Sequence, residues 1–225
     1  MREKAEIRRR IAQAASVLAN SKIEPERFPW REVKSPYRTF LSEFLLVRTR
    51  ADIVAKHFEN IIGRYPDACS LAAAEEDELA ETLAPLGLRK RVPLIISAAK
   101  TICERYGGSI PEEYDELLKI PGIGSYVATC IRIFAFDDRK RVPADVNVLR
   151  FLSRLIGSRM KHPTKGSPVL YDYLSLLSEE NTGLKAEVLL DFTRTICRPV
   201  RPRCGECPVR EICLHAKIDP GGKEV

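Results

Sequence analysis

From Arg2 to Cys197 the apolar residues recur at intervals of three and four, and no stretch alternates apolar with polar for more than a few positions. Such spacing lays a hydrophobic stripe along one side of a helix and gives a strand no face to bury. The chain is therefore expected to be all-α, with roughly ten helices joined by short connections. Ile7, Ile11, Ala14, Ala15 and Leu18 mark the first, over residues 2–19. Pro29 and Pro36 interrupt the pattern, and Ser35 is placed to cap the helix that Pro36 opens. That helix carries Tyr37, Phe40, Leu41, Phe44 and Leu45 on one side. A third runs from about Ala51 to Ile62, with Gly63 as its end. Two short helices follow between Ser70 and Leu86, with a break at Pro85-Leu86-Gly87. Further helices are read at Arg89–Tyr106, Tyr114–Lys119, Gly124–Phe134, Val146–Ile156, Val169–Ser178 and Leu184–Cys197, with a loop over 157–168.

A chain of 225 residues holds one or two domains. No apolar run reaches the ~18 residues that span a bilayer, and no apolar core follows the charged start as a secretory signal requires. The expected setting is the cytoplasm or nucleoid, without a membrane partner. A net charge of +6 fits a nucleic-acid partner but does not demand one.

Seven cysteines divide unequally. Cys69, Cys103 and Cys130 are scattered on apolar helix faces and read as core residues. Cys197, Cys204, Cys207 and Cys213 crowd into "CRPVRPRCGECPVREIC", spaced C-x6-C-x2-C-x5-C. In a reducing compartment such a cluster binds metal before it forms disulfides. The spacing by itself admits zinc or an iron–sulfur cluster. His57, His162 and His215 show no ligand spacing.

Between two helical segments stands "KIPGIGS", residues 119–125. Pro121 cannot continue a helix. Gly122 and Gly124 are free to take φ > 0 and carry no Cβ. The turn would expose the amides of Gly122, Ile123, Gly124 and Ser125 at the positive end of the next helix, a setting that suits a phosphate oxygen. There is no G-x-x-x-x-G-K-[ST], and no strand precedes the turn, so a nucleic-acid phosphate fits better than a nucleotide cofactor. Asp145, in "VPADVNVLRFL", stands where a helix N-cap is expected.

"IPGIGSYVA" resembles the helix-hairpin-helix of the endonuclease III and MutY superfamily of DNA glycosylases, whose pattern L-P-G-[VI]-G-x-x-T-A it departs from at Ile120 and Val127. "DVNVLR" resembles the aspartate context that follows the hairpin there, and the cysteine spacing is that of the family's [4Fe–4S] loop. The resemblance runs from about Phe28 to Cys213. It implies an all-α, two-domain fold with the DNA groove and active site between the domains. Residues 28–138 would form the central helical domain, and 1–27 with 139–225 the iron–sulfur domain. It implies Asp145, with Asn147, as the catalytic carboxylate and its neighbour, and Glu43 as a second group assisting departure of the base. Leu46, Val47 and Arg48 fall where relatives place the residues that fill the gap left by a flipped base. Arg198, Arg201 and Arg203, in the six residues between the first two cluster cysteines, would project towards DNA phosphates.

Tyr126 replaces the lysine that bifunctional members use to form an imine, which implies a monofunctional enzyme. Tyrosine there, with "FPWREVKSPYRTFLSEFLLVRTRAD", resembles the G·T-mismatch thymine glycosylases. The expected activity is removal of thymine, and of uracil, opposite guanine in double-stranded DNA, by a monomer. The alternatives are a MutY-like adenine glycosylase and a non-catalytic DNA-binding module. The chain ends about a dozen residues past its last cluster cysteine, without the further domain usual in MutY, which weighs against the adenine reading.

Overall fold

The computed structural model describes residues 2–157 and 168–218. All regular structure among them is helical: fourteen α-helical segments and five short 3-10 turns, more pieces than the periodicity alone suggests. The described chain divides into two compact units, Arg27–Asp138 and the combination of Met1–Glu26 with Arg139–Val225.

Helix α1 (Arg2–Ala19) belongs to the second of these. Its stripe of Ile11, Ala14, Ala15 and Leu18 is fully buried.

The contiguous unit holds α2 (Pro29–Glu32), α3 (Pro36–Leu45), α4 (Ala51–Arg64), α5 (Ala68–Ala72), α6 (Glu76–Leu83), α7 (Val92–Tyr106), α8 (Tyr114–Leu117) and α9 (Ser125–Phe136). Ser35 caps α3 as expected, its hydroxyl accepting from the Arg38 amide at 3.4 Å. Eight of the ten residues of α3 are buried, Tyr37, Thr39, Phe40, Leu41, Ser42, Glu43, Phe44 and Leu45, which leaves the helix almost no solvent-facing side. It is the central strut of this unit, with α4 and α9 packed against it. The Phe40 and Phe44 rings lie 4.7 Å apart, and Trp30 meets Phe58 edge-on at 5.4 Å.

Two expectations are corrected here. Gly63 does not end α4, which continues to Arg64. A glycine stops a helix by taking φ > 0, and Gly63 does not, whereas Gly87 and Gly107 do and cap their helices. Cys69 and Cys103 are not plain core residues. They form a disulfide that joins α5 to α7, two helices packed against each other. Cys130 is buried, as expected.

The second unit adds α10 (Val146–Leu155), α11 (Pro168–Leu174), α12 (Glu179–Thr182), α13 (Ala186–Thr195) and α14 (Leu214–Ile218). Its core is built on Phe151 and Phe192, packed edge-on at 5.0 Å, with Leu149, Leu152, Leu155 and Leu189 around them. The Arg10 guanidinium donates to the Ile212 carbonyl at 2.9 Å, so α1 is pinned to the cysteine segment. His162 lies outside the described residues.

Candidate functional site

In the contiguous unit, the turn between α8 and α9 is held from below by Leu117, Ile120 and Ile123, all buried. The Ile120 amide donates to the Leu117 carbonyl and the Ile123 amide to the Ile120 carbonyl, both at 3.1 Å. Ile123 therefore spends its N–H inside the turn and seats it, and it is not one of the outward amides that the sequence suggests. Gly124 and Ser125 open α9, where the first amides of a helix have no intrahelical acceptor.

The two glycines differ in kind. Gly122 has φ 80°. A Cβ there would lie 3.0 Å from Cε1 of Phe44 and 3.1 Å from Leu94, so the turn rests directly on α3 and α7. Gly124 has φ −92°, open to any residue, and a Cβ there would meet nothing within 4 Å. The expectation of positive φ holds for Gly122 and fails for Gly124. Nothing inside the protein requires a glycine at 124, and what its bareness leaves clear is the approach from outside.

Glu43 sits on α3 and Tyr126 in the first turn of α9, two helices packed together. Glu43 is buried at 8% exposure, and Tyr126 is half-buried against the unit's core. Past the end of α3, Val47 is half-buried and Arg48 exposed, with φ 62°, an uncommon conformation for a residue with a side chain. The Thr49 hydroxyl fixes this turn by donating to the Leu86 carbonyl at 3.1 Å.

In the other unit, Asp145 is the N-cap of α10. Its Oδ1 accepts from the Asn147 and Val148 amides at 2.9 and 2.7 Å, and its Oδ2 accepts from Nδ2 of Asn147 at 2.7 Å. A carboxylate offers about four lone-pair sites, two per oxygen. Oδ1 is saturated, and one site on Oδ2 stays available. These bonds to the first turn of α10 fix the group in place.

The fixing continues away from Asp145. Arg150 donates to Oδ1 of Asn147 at 2.8 Å, to the Thr193 carbonyl at 2.9 Å and to the Cys197 carbonyl at 2.7 Å. Burial, ahead of its charged neighbours, lowers the Arg150 pKa from the usual guanidinium range. Arg154, one turn on, donates to the carbonyls of Arg198 and Pro199 at 2.6 and 3.0 Å and to Sγ of Cys197 at 3.6 Å. Asp145, Asn147 and the cysteine segment are thus parts of one hydrogen-bonded frame. Arg150 is the arginine that closes the DVNVLR context, with partners the sequence did not show, and Arg154 is a neighbour that sequence reading passed over.

Cys197, Cys204, Cys207 and Cys213 line one cavity with Phe151, Ile196, Val209 and Ala216. His215, to which the spacing assigns nothing, lines it too. Burial pushes the Cys207 thiol up to about 12 and raises Cys213 as well, with the neighbouring thiols adding to the effect. Four soft sulfur donors in an apolar lining stay neutral alone and ionise when a bound cation offsets their charge. The donor set therefore fits a thiolate-ligated metal group. Among the described residues, no three His, Cys, Asp or Glu side chains converge at single-ion spacing.

The arginines of the six-residue segment do not act alike. Arg198 turns back and donates to the Arg201 carbonyl at 2.9 Å, so it braces the loop and does not project. Arg203 pairs with Glu206 at 3.6 Å. Arg201 is exposed, at φ 49°.

Residues 41–167, more than half of the chain, match the HhH-GPD superfamily base excision DNA repair protein family. The chain is 34% identical over 197 residues to the thymine-DNA glycosylase of Aeropyrum pernix, covering 85% of this chain and 87% of that one. It is 27% identical over 195 residues to the thymine/uracil-DNA glycosylase of Methanothermobacter thermautotrophicus, covering 84% and 86%. Its fold superposes on the structure of a thermostable thymine-DNA glycosylase with a TM-score of 0.83 at 24% identity, covering 95% of this chain and 99% of the other.

Proposed function

Because the chain belongs to the HhH-GPD superfamily of base excision DNA repair proteins, we propose that it is a monofunctional DNA glycosylase. Its substrate is thymine, or uracil, mispaired with guanine in duplex DNA. The likeness to a thymine-DNA glycosylase across most of both chains carries the reading.

The chemistry of the named residues supports it. Breaking the bond between base and deoxyribose builds positive charge on the sugar, and a fixed carboxylate stabilises that charge. Asp145 supplies it, with the remaining Oδ2 lone pair directed at water or sugar. Asn147 holds that oxygen in place. Glu43, buried on α3, assists departure of the base. Tyr126 has no amine and forms no imine, so water is the nucleophile and the product is an abasic site in an intact strand. The amides of Gly124 and Ser125 bind a backbone phosphate, and Gly122 lets the turn sit low enough to present them. Val47, on the turn after α3, enters the space left by the extruded nucleotide.

Cys197, Cys204, Cys207 and Cys213 hold a [4Fe–4S] cluster. When bound, the cluster supplies a covalent fixing of the loop that carries Arg201, and zinc would supply the same fixing without a visible chromophore. Iron analysis with the visible spectrum tells the two apart. The protein acts as a monomer among the nucleoid DNA.

The decisive measurement is single-turnover base release from duplexes carrying G·T, G·U, A·G and A opposite oxidised G. Release from the first two only is expected. Release of adenine instead would make the protein an adenine glycosylase. Tight duplex binding with no release from any of the four would make it a non-catalytic module.

A further inference from the structure

The Cys69–Cys103 disulfide ties α5 to α7 in the contiguous unit. In the same chain Cys197, Cys204, Cys207 and Cys213 are not disulfide-bonded. A chain that keeps four thiols for a metal group works where thiols persist. A disulfide in such surroundings is as a rule transient and redox-sensing. Solvent-accessible disulfides are the labile, regulatory kind. Cys69 and Cys103 are both half-buried, so neither is sealed from solvent.

The bond also stands where it bears on the hairpin turn, because α7 supports that turn from both of its ends. Near the start of α7, Leu94 lies 3.1 Å from where a Gly122 Cβ would be. At its end, the Tyr106 hydroxyl donates to Oε2 of Glu116 on α8 at 2.9 Å, and Glu116 pairs with Lys119 at the entry to the turn. The place of α7 therefore sets the place of the turn, and the disulfide fixes α7 on α5.

The connection from α7 to α8 begins at Gly107 and Gly108, with φ 59° and 84°. A Cβ on Gly108 would lie 3.2 Å from Sγ of Cys69, so this bend rests directly on the bonded sulfur. Two thiol sulfurs cannot share the space of a bonded pair, because non-bonded atoms stand farther apart than bonded ones.

We propose that Cys69–Cys103 is a reversible thiol–disulfide site whose state sets the DNA affinity of the hairpin turn. A dithiol reductant supplies two electrons and two protons. Its own sulfurs join as a disulfide, and Cys69 and Cys103 become thiols. The separating sulfurs displace the Gly107–Gly108 bend and release α7 from α5. The amides of Gly124 and Ser125 then lose their fixed presentation to a phosphate. An oxidised dithiol reverses the exchange. The proposal rests on the reading of this protein as one that binds DNA through the hairpin.

The test compares oxidised protein with protein reduced by dithiothreitol, both with the metal group bound, the state of the pair being read by mass after alkylation. Equilibrium binding of a G·T duplex is measured well below the melting temperature of either form. Reduction is expected to weaken binding by at least about fivefold, the lower end of allosteric couplings. Reoxidation is expected to restore it. Cys69→Ala/Cys103→Ala is expected to bind like the reduced form whether or not reductant is present. Equal affinity of the oxidised and reduced wild type would make the bond structural only and end the proposal. A reductant effect that persists in the double variant would place the switch in other cysteines and end it as well. Hydrogen exchange without DNA decides the case in which the reduced protein loosens. Faster exchange confined to residues 103–125 is expected, and equally faster exchange in α3 and α4 would mean general destabilisation and overturn the switch. Oxidised protein that binds duplex but releases no thymine would end the proposed activity and leave the switch standing. Oxidised protein that binds no duplex would end both.

Discussion

In the proposed mechanism Asp145 serves structure and chemistry at once. As an N-cap it satisfies two amides of α10, and as an anion it would provide the charge that the sugar needs. The two roles separate in Asp145→Asn. Asparagine caps helices about as well as aspartate does. The variant should therefore melt close to the wild type and bind duplex DNA, while single-turnover base release falls by about 10³-fold for want of the charge. Near-normal release would remove Asp145 from the mechanism. The aspartate was legible in the sequence because its cap and its context are local. Arg150 was not legible as its support, because the carbonyls it holds belong to Thr193 and Cys197, far along the chain. Arg198 misled for a related reason: a charge in a loop looks free until the carbonyl of Arg201 is seen beside it.

Among the elements, the α8–α9 turn gives the sharpest contrast. Gly122 is needed from within, by its φ and by the closeness of Phe44 and Leu94, whereas Gly124 is not. Gly122→Ala should destabilise the protein by about 1–3 kcal/mol, as strain at a special φ combined with overpacking does. Gly124→Ala should leave urea stability within about 0.5 kcal/mol of the wild type, as surface changes do, and still weaken duplex binding. Equal effects of the two on stability would contradict the difference between the two positions. The Cys69–Cys103 bond works at the same scale, clipping α5 to α7 across a sequence separation of 34. On the chain-entropy account, a loop of that size is worth about 4 kcal/mol. Melting should therefore occur at lower temperature in reductant, and the shift should vanish in a Cys69→Ala/Cys103→Ala variant. A reductant effect that persists there would come from the other cysteines. Sequence reading missed this bond because two half-buried cysteines on amphipathic helices show the pattern of core packing, and only the docking of α5 on α7 brings them to bonding distance.

Across the whole molecule, the all-helical class was legible from apolar spacing. Where glycine and proline stand, the boundaries mostly followed. The fragmentation into short helices and 3-10 turns was less legible, because such pieces are stabilised by packing and have too few residues to show a period. The distribution of the two units along the chain has a further effect. Arg27–Asp138 is one uninterrupted stretch, whereas α1 buries its stripe against helices encoded after Val146, and Arg10 reaches a carbonyl at Ile212. Domains fold as units while the ribosome is still extending the chain. Helix α1 is made before Arg27–Asp138 yet finds its partners only after that unit has been made. It waits, with Ile11 and Leu18 uncovered, while the middle of the protein folds, until the helices after Val146 and the carbonyl of Ile212 have followed it.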